Sequence, residues 1–231
     1  MDNYFLLRLI QFILNEEESG RALTPDNYSD LLRVTSLELA RQVVKNYEDG
    51  QDVTDMIQRF KKDEDIEFVN GEALLPGDYY RKSFLLAGSV WVEFVTDAEF
   101  ANRRKSALMP PSAEYPIVRI IGGGLEILPD SITAGELGYI RRPITPFFDY
   151  YYDAFGRIIP FGPKGATHTL LSGQQGRAGQ TSGQITSVNE ELDWNDNEKL
   201  IIVGMICSKA GVNIGEQGVV EYAEMLKQQQ S

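Results

Sequence analysis

Apolar side chains crowd residues 3 to 14. Tyr4, Phe5, Leu6, Leu7, Leu9, Ile10 and Ile13 fit a short helix ending near the stretch NEEESGR, with Gly20 as its stop. Thr24-Pro25-Asp26 then reads as an N-cap, a proline in the first helical turn and a carboxylate at the positive end of a helix dipole. Beyond it Tyr28, Leu31, Leu32, Leu39, Ala40, Val43, Val44 and Tyr47 recur at three- and four-residue intervals, which predicts a long amphipathic helix as far as Glu48-Asp49-Gly50. A shorter helix is predicted from about Asp52 to Lys62, turning Met56, Ile57 and Phe60 inward.

From Ile66 the pattern changes to short apolar segments punctuated by proline and glycine, the signature of strands and turns. GSVWVEFVTD sets Val90, Val92 and Phe94 against Trp91, Glu93 and Val95, and AEFANRRKSAL after it fits one or two helical turns. YPIVRII and LEILP flank Gly122-Gly123-Gly124, and GELGYIRRPITP is a further strand ending near Pro143. Residues 161 to 188 are rich in Gly, Ser, Gln and Thr and poor in large apolar side chains, which predicts a long loop or arm that orders only against a partner. The C-terminal part returns to helix. Trp194-Asn195-Asp196 caps a run through Leu200, Ile201, Val203, Met205 and Ile206; Gly211 breaks it; and Val219, Val220, Ala223 and Leu226 mark a final helix.

The predicted fold class is therefore α+β, with a helical bundle from the N- and C-terminal helices, a β-rich middle and a long polar arm. Four segments follow: N-terminal helices over 1–65, a β-rich region with a hairpin over 66–160, a flexible Gly/Gln-rich loop or arm over 161–190, and a C-terminal helical pair over 191–231. Together they are expected to form one compact domain.

Composition narrows the function. Of 231 residues 42% are hydrophobic and 24% charged, ordinary values for a globular protein. The apolar run near the start is interrupted by Arg8 and Gln11 and falls short of the roughly 20 residues of a bilayer span. It has no small-residue cleavage site either, so neither a membrane anchor nor a secretory signal is expected. The net charge is −12, and residues 1–65 (8 basic, 14 acidic) and 190–231 (3 basic, 8 acidic) supply nearly all of it. Gripping nucleic acid requires a cationic surface, so direct DNA binding is disfavoured, whereas a face past which a polyanion slides tolerates acid.

Candidate chemistry is sparse. The three glycines lack the Lys-Ser/Thr of a phosphate-binding loop and are followed by a strand pattern, so they read as a hairpin turn. His168 has no nucleophile or acid at a recognisable spacing and reads as an exposed loop histidine; Cys207, on an apolar helix face, reads as a small buried hydrophobe. Glu16-Glu17-Glu18 and Asp63-Glu64-Asp65 lack the ligand spacing of a calcium loop and read as solvated helix ends. No catalytic, metal-binding or cofactor-binding residue is assigned, and no enzyme is expected. The interface candidates are the aromatic run Phe147, Phe148, Tyr150, Tyr151 and Tyr152, whose alternative is a strand in the core and whose position shortly before the 161–188 segment favours an interface, and the cations Arg103, Arg104, Lys105, Arg141 and Arg142.

Several stretches also resemble one family in the same order along the chain: FILNEEESGRALTPDNYSDLLRVTSLELARQVVKNYE, LLPGDYYRKS, RRKSALMPPSAEYPIVRIIGGGLEILPDSI, GYIRRPITP, DYYYDAFGRIIPFGP and LDWNDNEKLIIVGMICSKAGVNIGEQGVVEYAEMLKQQ. They resemble head-to-tail connector proteins of tailed, crAss-like Bacteroidetes phages, and the resemblance covers most of the chain except residues 165–188. It implies a virion subunit that assembles in the bacterial cytoplasm into a closed ring below the portal, around the DNA exit channel. Twelve copies would follow from the usual symmetry of a portal. The partners it implies are further copies of the chain, the portal, neighbouring ring and tail proteins, and DNA passing through the lumen without sequence-specific binding. Another tail component, a tail-completion or tail-tube protein, is the alternative.

Overall fold

The computed structural model describes residues 1–16, 23–45, 56–212 and 216–229. The fold is mixed α+β, and the residues group into two compact units, Met1–Gln42 with Pro143–Ser231, and Val43–Arg142. The sequence pattern changes near 65 and 160, while the contacts divide the chain after 42 and after 142.

In the first unit, α1 (Asn3–Glu16) packs against α4 (Asp196–Lys209) and α5 (Glu216–Gln229), and α4 packs against α5. Leu6, Leu9, Ile10 and Ile13 of α1 and Ile202, Val203, Ile206 and Cys207 of α4 are wholly buried, as the periodicity requires. The Phe12 and Tyr222 rings meet edge to face at 5.8 Å. Helix α2 (Pro25–Lys45) opens as the Thr24-Pro25 pattern predicts, with the Asn27 N–H donating to Thr24 Oγ1 at 3.3 Å. Its buried Tyr28 donates to the Asn3 carbonyl at 2.8 Å, and Trp194 donates its indole N–H to Ser36 Oγ at 2.8 Å. Asn195 caps α4 in a reciprocal box with Glu198. The predicted stops at Gly20 and at Glu48–Gly50 lie outside the described residues.

The same unit holds a small sheet in which β9 (Tyr150–Tyr152) lies between β10 (Ile158–Pro160) and β12 (Gln175–Gly176). A separate pair joins β11 (Thr167–Thr169) to β13 (Gln184–Thr186). Residues 161–190, expected from composition to be a flexible Gly/Gln-rich loop or arm, carry three short strands. Phe161 and Leu170 are buried, and backbone bonds from Leu170 to Gly183 and between Ala166 and Ser187 continue the ladder.

The second unit is β-rich. One antiparallel sheet has the order β1 (Lys61–Glu67), β8 (Ala134–Arg141), β3 (Tyr79–Ala87), β4 (Val90–Trp91). The other has the order β2 (Glu72–Leu74), β7 (Gly124–Leu128), β6 (Ile117–Ile121), β5 (Glu93–Phe94), with only β5 and β6 parallel. The chain crosses between the sheets four times, after β1, β2, β4 and β7, and two of the crossings are tight corners: Val92 between β4 and β5, and the Asn70-Gly71 turn that pairs Val69 with Glu72. These corners join the sheets into a barrel-like wall around Ile66, Phe68, Leu85, Val92, Val118, Leu125, Ile127, Leu137 and Tyr139. Helix α3 (Asp97–Arg104), boxed by Thr96 and Glu99, covers the outer face of the second sheet. There Phe100 sits on Ile117 and Leu128, and Arg119 lies 4.6 Å from the Phe100 ring while pairing with Glu126 and Asp97.

Two sequence expectations change here. Residues 56–58 are helical, but the predicted helix does not reach Lys62: β1 begins at Lys61 and pairs along its whole length with β8. Asp63-Glu64-Asp65 is therefore a strand segment and not a helix end. Its alternation is concealed because Glu64, on the inward side, is acidic; the Tyr139 hydroxyl donates to that carboxylate at 3.1 Å and Lys62 pairs with it at 3.1 Å.

Tyr139 also donates to Asp78 at 2.8 Å, and its hydroxyl is pushed up to about 12 by burial first and by this bond next. Burial raises Tyr28 well above the usual range and raises Tyr150 too. A tyrosine whose folded value is raised stabilises fully below its unfolded value and loses that contribution as pH climbs through the folded one. Stability should therefore fall from about pH 10 to about pH 12. Titration by near-ultraviolet absorbance should show a late tyrosine fraction that ionises together with loss of circular dichroism; uniform titration near 10 would overturn this.

Candidate assembly surfaces

The predicted interface residues fall into two groups, and the structure engages nearly all of them within the chain. In the first unit Phe148 and Tyr150 are buried. Phe148 stacks on Tyr4 at 6.2 Å and on Tyr150 at 5.9 Å, and meets the Tyr28 edge at 5.9 Å. The Tyr150 hydroxyl donates to Asp26 at 3.1 Å, and Tyr152 packs edge-on against Tyr150 at 5.4 Å. Phe147 exchanges two backbone bonds with Glu190 and lies 4.8 Å below the Arg177 guanidinium. The strand-in-core reading describes Phe148 and Tyr150, while Tyr151 and Tyr152 are half-buried.

His168 is not a free loop side chain. It stacks on Tyr151 at 4.4 Å and its Nε2 lies 2.9 Å from Gln174 Oε1. The neighbouring Asp149 carboxylate is buried, accepts the N–H groups of Val188 at 2.8 Å and Tyr150 at 3.0 Å, and pairs with Arg177 at 3.0 Å. These contacts draw both ends of the 161–190 segment to β9.

In the second unit Arg103 pairs with Glu93 at 2.9 Å and Arg104 with Glu126 at 3.6 Å. Lys105 is exposed at the end of α3. Arg141 donates to the Arg142 carbonyl at 3.3 Å with its guanidinium 5.4 Å from the Phe60 ring, and Arg142 donates to the Tyr79 carbonyl at 3.2 Å. Four of the five cations thus have partners in their own chain, and they form two separate pairs, not one basic patch.

Large apolar side chains are also exposed outside the sequence-predicted interface residues. Residues 106–116, SALMPPSAEYP, expose Leu108 at 94%, Met109 at 67% and Tyr115 at 72%. The loop holds a defined shape: Ser106 Oγ accepts the N–H groups of Leu108 at 3.3 Å and Met109 at 3.1 Å, and Ser112 and Tyr115 exchange backbone bonds at 3.4 and 3.1 Å. Three large apolar side chains are thus turned to water over a short stretch, the kind of exposure from which interaction surfaces are built. The signal in the sequence was three large apolar residues among prolines and serines, with neither helical nor strand period to bury them.

Two cavities lie among the described residues of the first unit. One of about 540 Å³ lies between α1 and β10, lined by Tyr4, Leu7, Arg8, Gln11, Arg157, Ile158 and Ile159. Another of about 360 Å³ is lined by Leu14, Leu23, Asn27, Asp30, Leu31, Lys209 and Ala210. Among the described residues no three His, Cys, Asp or Glu side chains converge on a point that suits a metal ion, and no helix is long and apolar enough to cross a membrane. Cys207 is buried with its thiol pushed up to about 11 by burial, which leaves little thiolate at neutral pH. Neither a scan of the chain against protein-family models nor a search of curated proteins finds a match.

Proposed function

We propose that this chain is a virion structural subunit that closes into a ring at the phage head-to-tail junction, below the portal and around the DNA exit channel. The observation that carries this reading is the loop 106–116, which presents Leu108, Met109 and Tyr115 on a shaped backbone and lies inside one of the segments that resemble connector proteins. A closed ring needs two different patches per subunit that meet by rotation, and an exposed apolar loop on a rigid β unit supplies one of them. A chain of net charge −12 has little electrostatic hold on outgoing DNA, which suits a conduit. Twelve copies follow from the portal's usual symmetry.

Native mass spectrometry and negative-stain microscopy of the protein, alone and with its portal, test this. Closed rings of fixed stoichiometry that dock on the portal support it, indefinite stacks favour the tail-component alternative, and a monomer indifferent to portal ends it. The double substitution Leu108→Asp with Met109→Asp is expected to abolish ring formation. Both side chains are exposed, so stability should move by no more than about 0.5 kcal/mol. Rings that persist in this variant would remove the loop from the interface.

A further inference from the structure

The outer face of the β1-β8-β3-β4 sheet presents an arrangement that the ring reading does not use. Strand register places Asp65, Glu136, Leu86 and Trp91 in one row across four strands, and Asp63, Gly138 and Phe84 in the next. Side chains in such rows share a face, with adjacent Cβ atoms about 5 Å apart. Glu67 continues the acidic edge on the same side of β1.

Asp63, Asp65, Glu67 and Glu136 are all exposed, and among the described residues none of them forms an ion pair. Trp91 is 68% exposed and packs edge-on against Phe84 at 5.8 Å, with half-buried Leu86 beside it. Gly138 is what allows this floor, since a Cβ there would overlap the Phe84 ring. Lys61 and Arg81, which flank Ile140, are the cations of this face, and they lie at the opposite end from Trp91. The end around Trp91 is thus an aromatic and aliphatic floor with carboxylates along one side.

We infer that this face docks a Lys/Arg-rich segment of another protein, laid across Trp91 with its cations on Asp63, Asp65, Glu67 and Glu136. Charge complementarity chooses the occupant. Nucleic acid and anionic lipid are repelled by four unpaired carboxylates, whereas guanidinium groups pair with carboxylates and also stack on indole, the best cation-binding ring. Tryptophan and arginine are the residues that most often carry binding energy at interfaces, and here one of them is held exposed in a field that attracts the other. The inference stands on the sheet face alone and does not depend on ring formation.

The chain has two tryptophans, and Trp194 is 3% exposed, so soluble quenchers of fluorescence report Trp91. Relative to free indole, caesium should quench it more strongly than iodide, and the difference should vanish in Asp65→Asn/Glu136→Gln. A fluorescently labelled octa-arginine peptide should bind the wild type at low salt and shift the Trp91 emission. The affinity should drop about tenfold in Asp65→Asn/Glu136→Gln and in Trp91→Ala, but less than about twofold in Glu114→Gln/Glu221→Gln, which removes two exposed charges elsewhere. Equal weakening by the distant pair, emission unmoved at saturating peptide, or no binding at low salt would each overturn the inference.

Discussion

Asp149→Ala will cost the first unit about 2–4 kcal/mol and free the segment 161–190 from β9. The carboxylate is 3% exposed and serves three donors: the Val188 N–H at 2.8 Å, the Tyr150 N–H at 3.0 Å and Arg177 Nε at 3.0 Å. Alanine leaves both backbone donors without their acceptor, which costs far more than the exposed side of the ion pair, because Arg177 is 38% exposed and regains water. Asparagine will rescue only in part, since its amide oxygen can replace one carboxylate oxygen while its NH2 group turns a donor toward the donors that the other oxygen served. In urea the transition should move down by about 1–2 M, and protease cleavage should appear first between Gly162 and Ser187. An unchanged midpoint with unchanged cleavage would show that the segment is held by other contacts.

The same segment shows where sequence patterns lose their reach. The Thr24-Pro25 cap, the α1 face and the Gly-turned hairpin were legible because each is decided by residues within a few positions of one another: a hydroxyl beside a helix start, a 3.6-residue period, a pair of glycines. Residues 161–190 were not, because their order comes from partners far away in sequence: Tyr151 under His168, and Asp149 bonded to Arg177 and to Val188. Polar composition describes what a segment cannot bury, not what it can bond to. Strand β1 escapes the pattern for a related reason. A strand whose inward face includes Glu64, satisfied by Tyr139 and Lys62, has no apolar alternation to see. Among the interface candidates, Phe148 and Tyr150 of the aromatic run, expected at an interface, lie in the core, and the clustered arginines divide between carboxylates, carbonyls and an aromatic ring that no spacing rule could have named.

The three glycines of the hairpin should respond to substitution in opposite ways, because they are required for different reasons. Gly122 and Gly123 form the two-residue turn between Ile121 and Gly124, with φ of +57° and +85°, and no atom lies within 4 Å of where their Cβ atoms would be. They supply conformation alone, and asparagine tolerates that region, so Gly122→Asn should cost less than about 0.5 kcal/mol. Gly124 has no positive φ; it supplies room. A Cβ there would stand 2.6 Å from the Ala73 carbonyl oxygen, which belongs to the backbone of β2 and cannot rotate away. Strand β2 is three residues long, lies at the edge of its sheet and is held by β7. Gly124→Ala must therefore push β2 outward, tilt the hairpin or expose Ala73 of the core, at a cost of about 1–3 kcal/mol. Amide exchange at Leu75, whose N–H bonds to the Gly123 carbonyl at 3.2 Å, should quicken in Gly124→Ala and stay slow in Gly122→Asn. If Gly122→Asn proved the more damaging, the hairpin would be limited by its turn, and the close approach of β2 would not be what fixes a glycine at position 124.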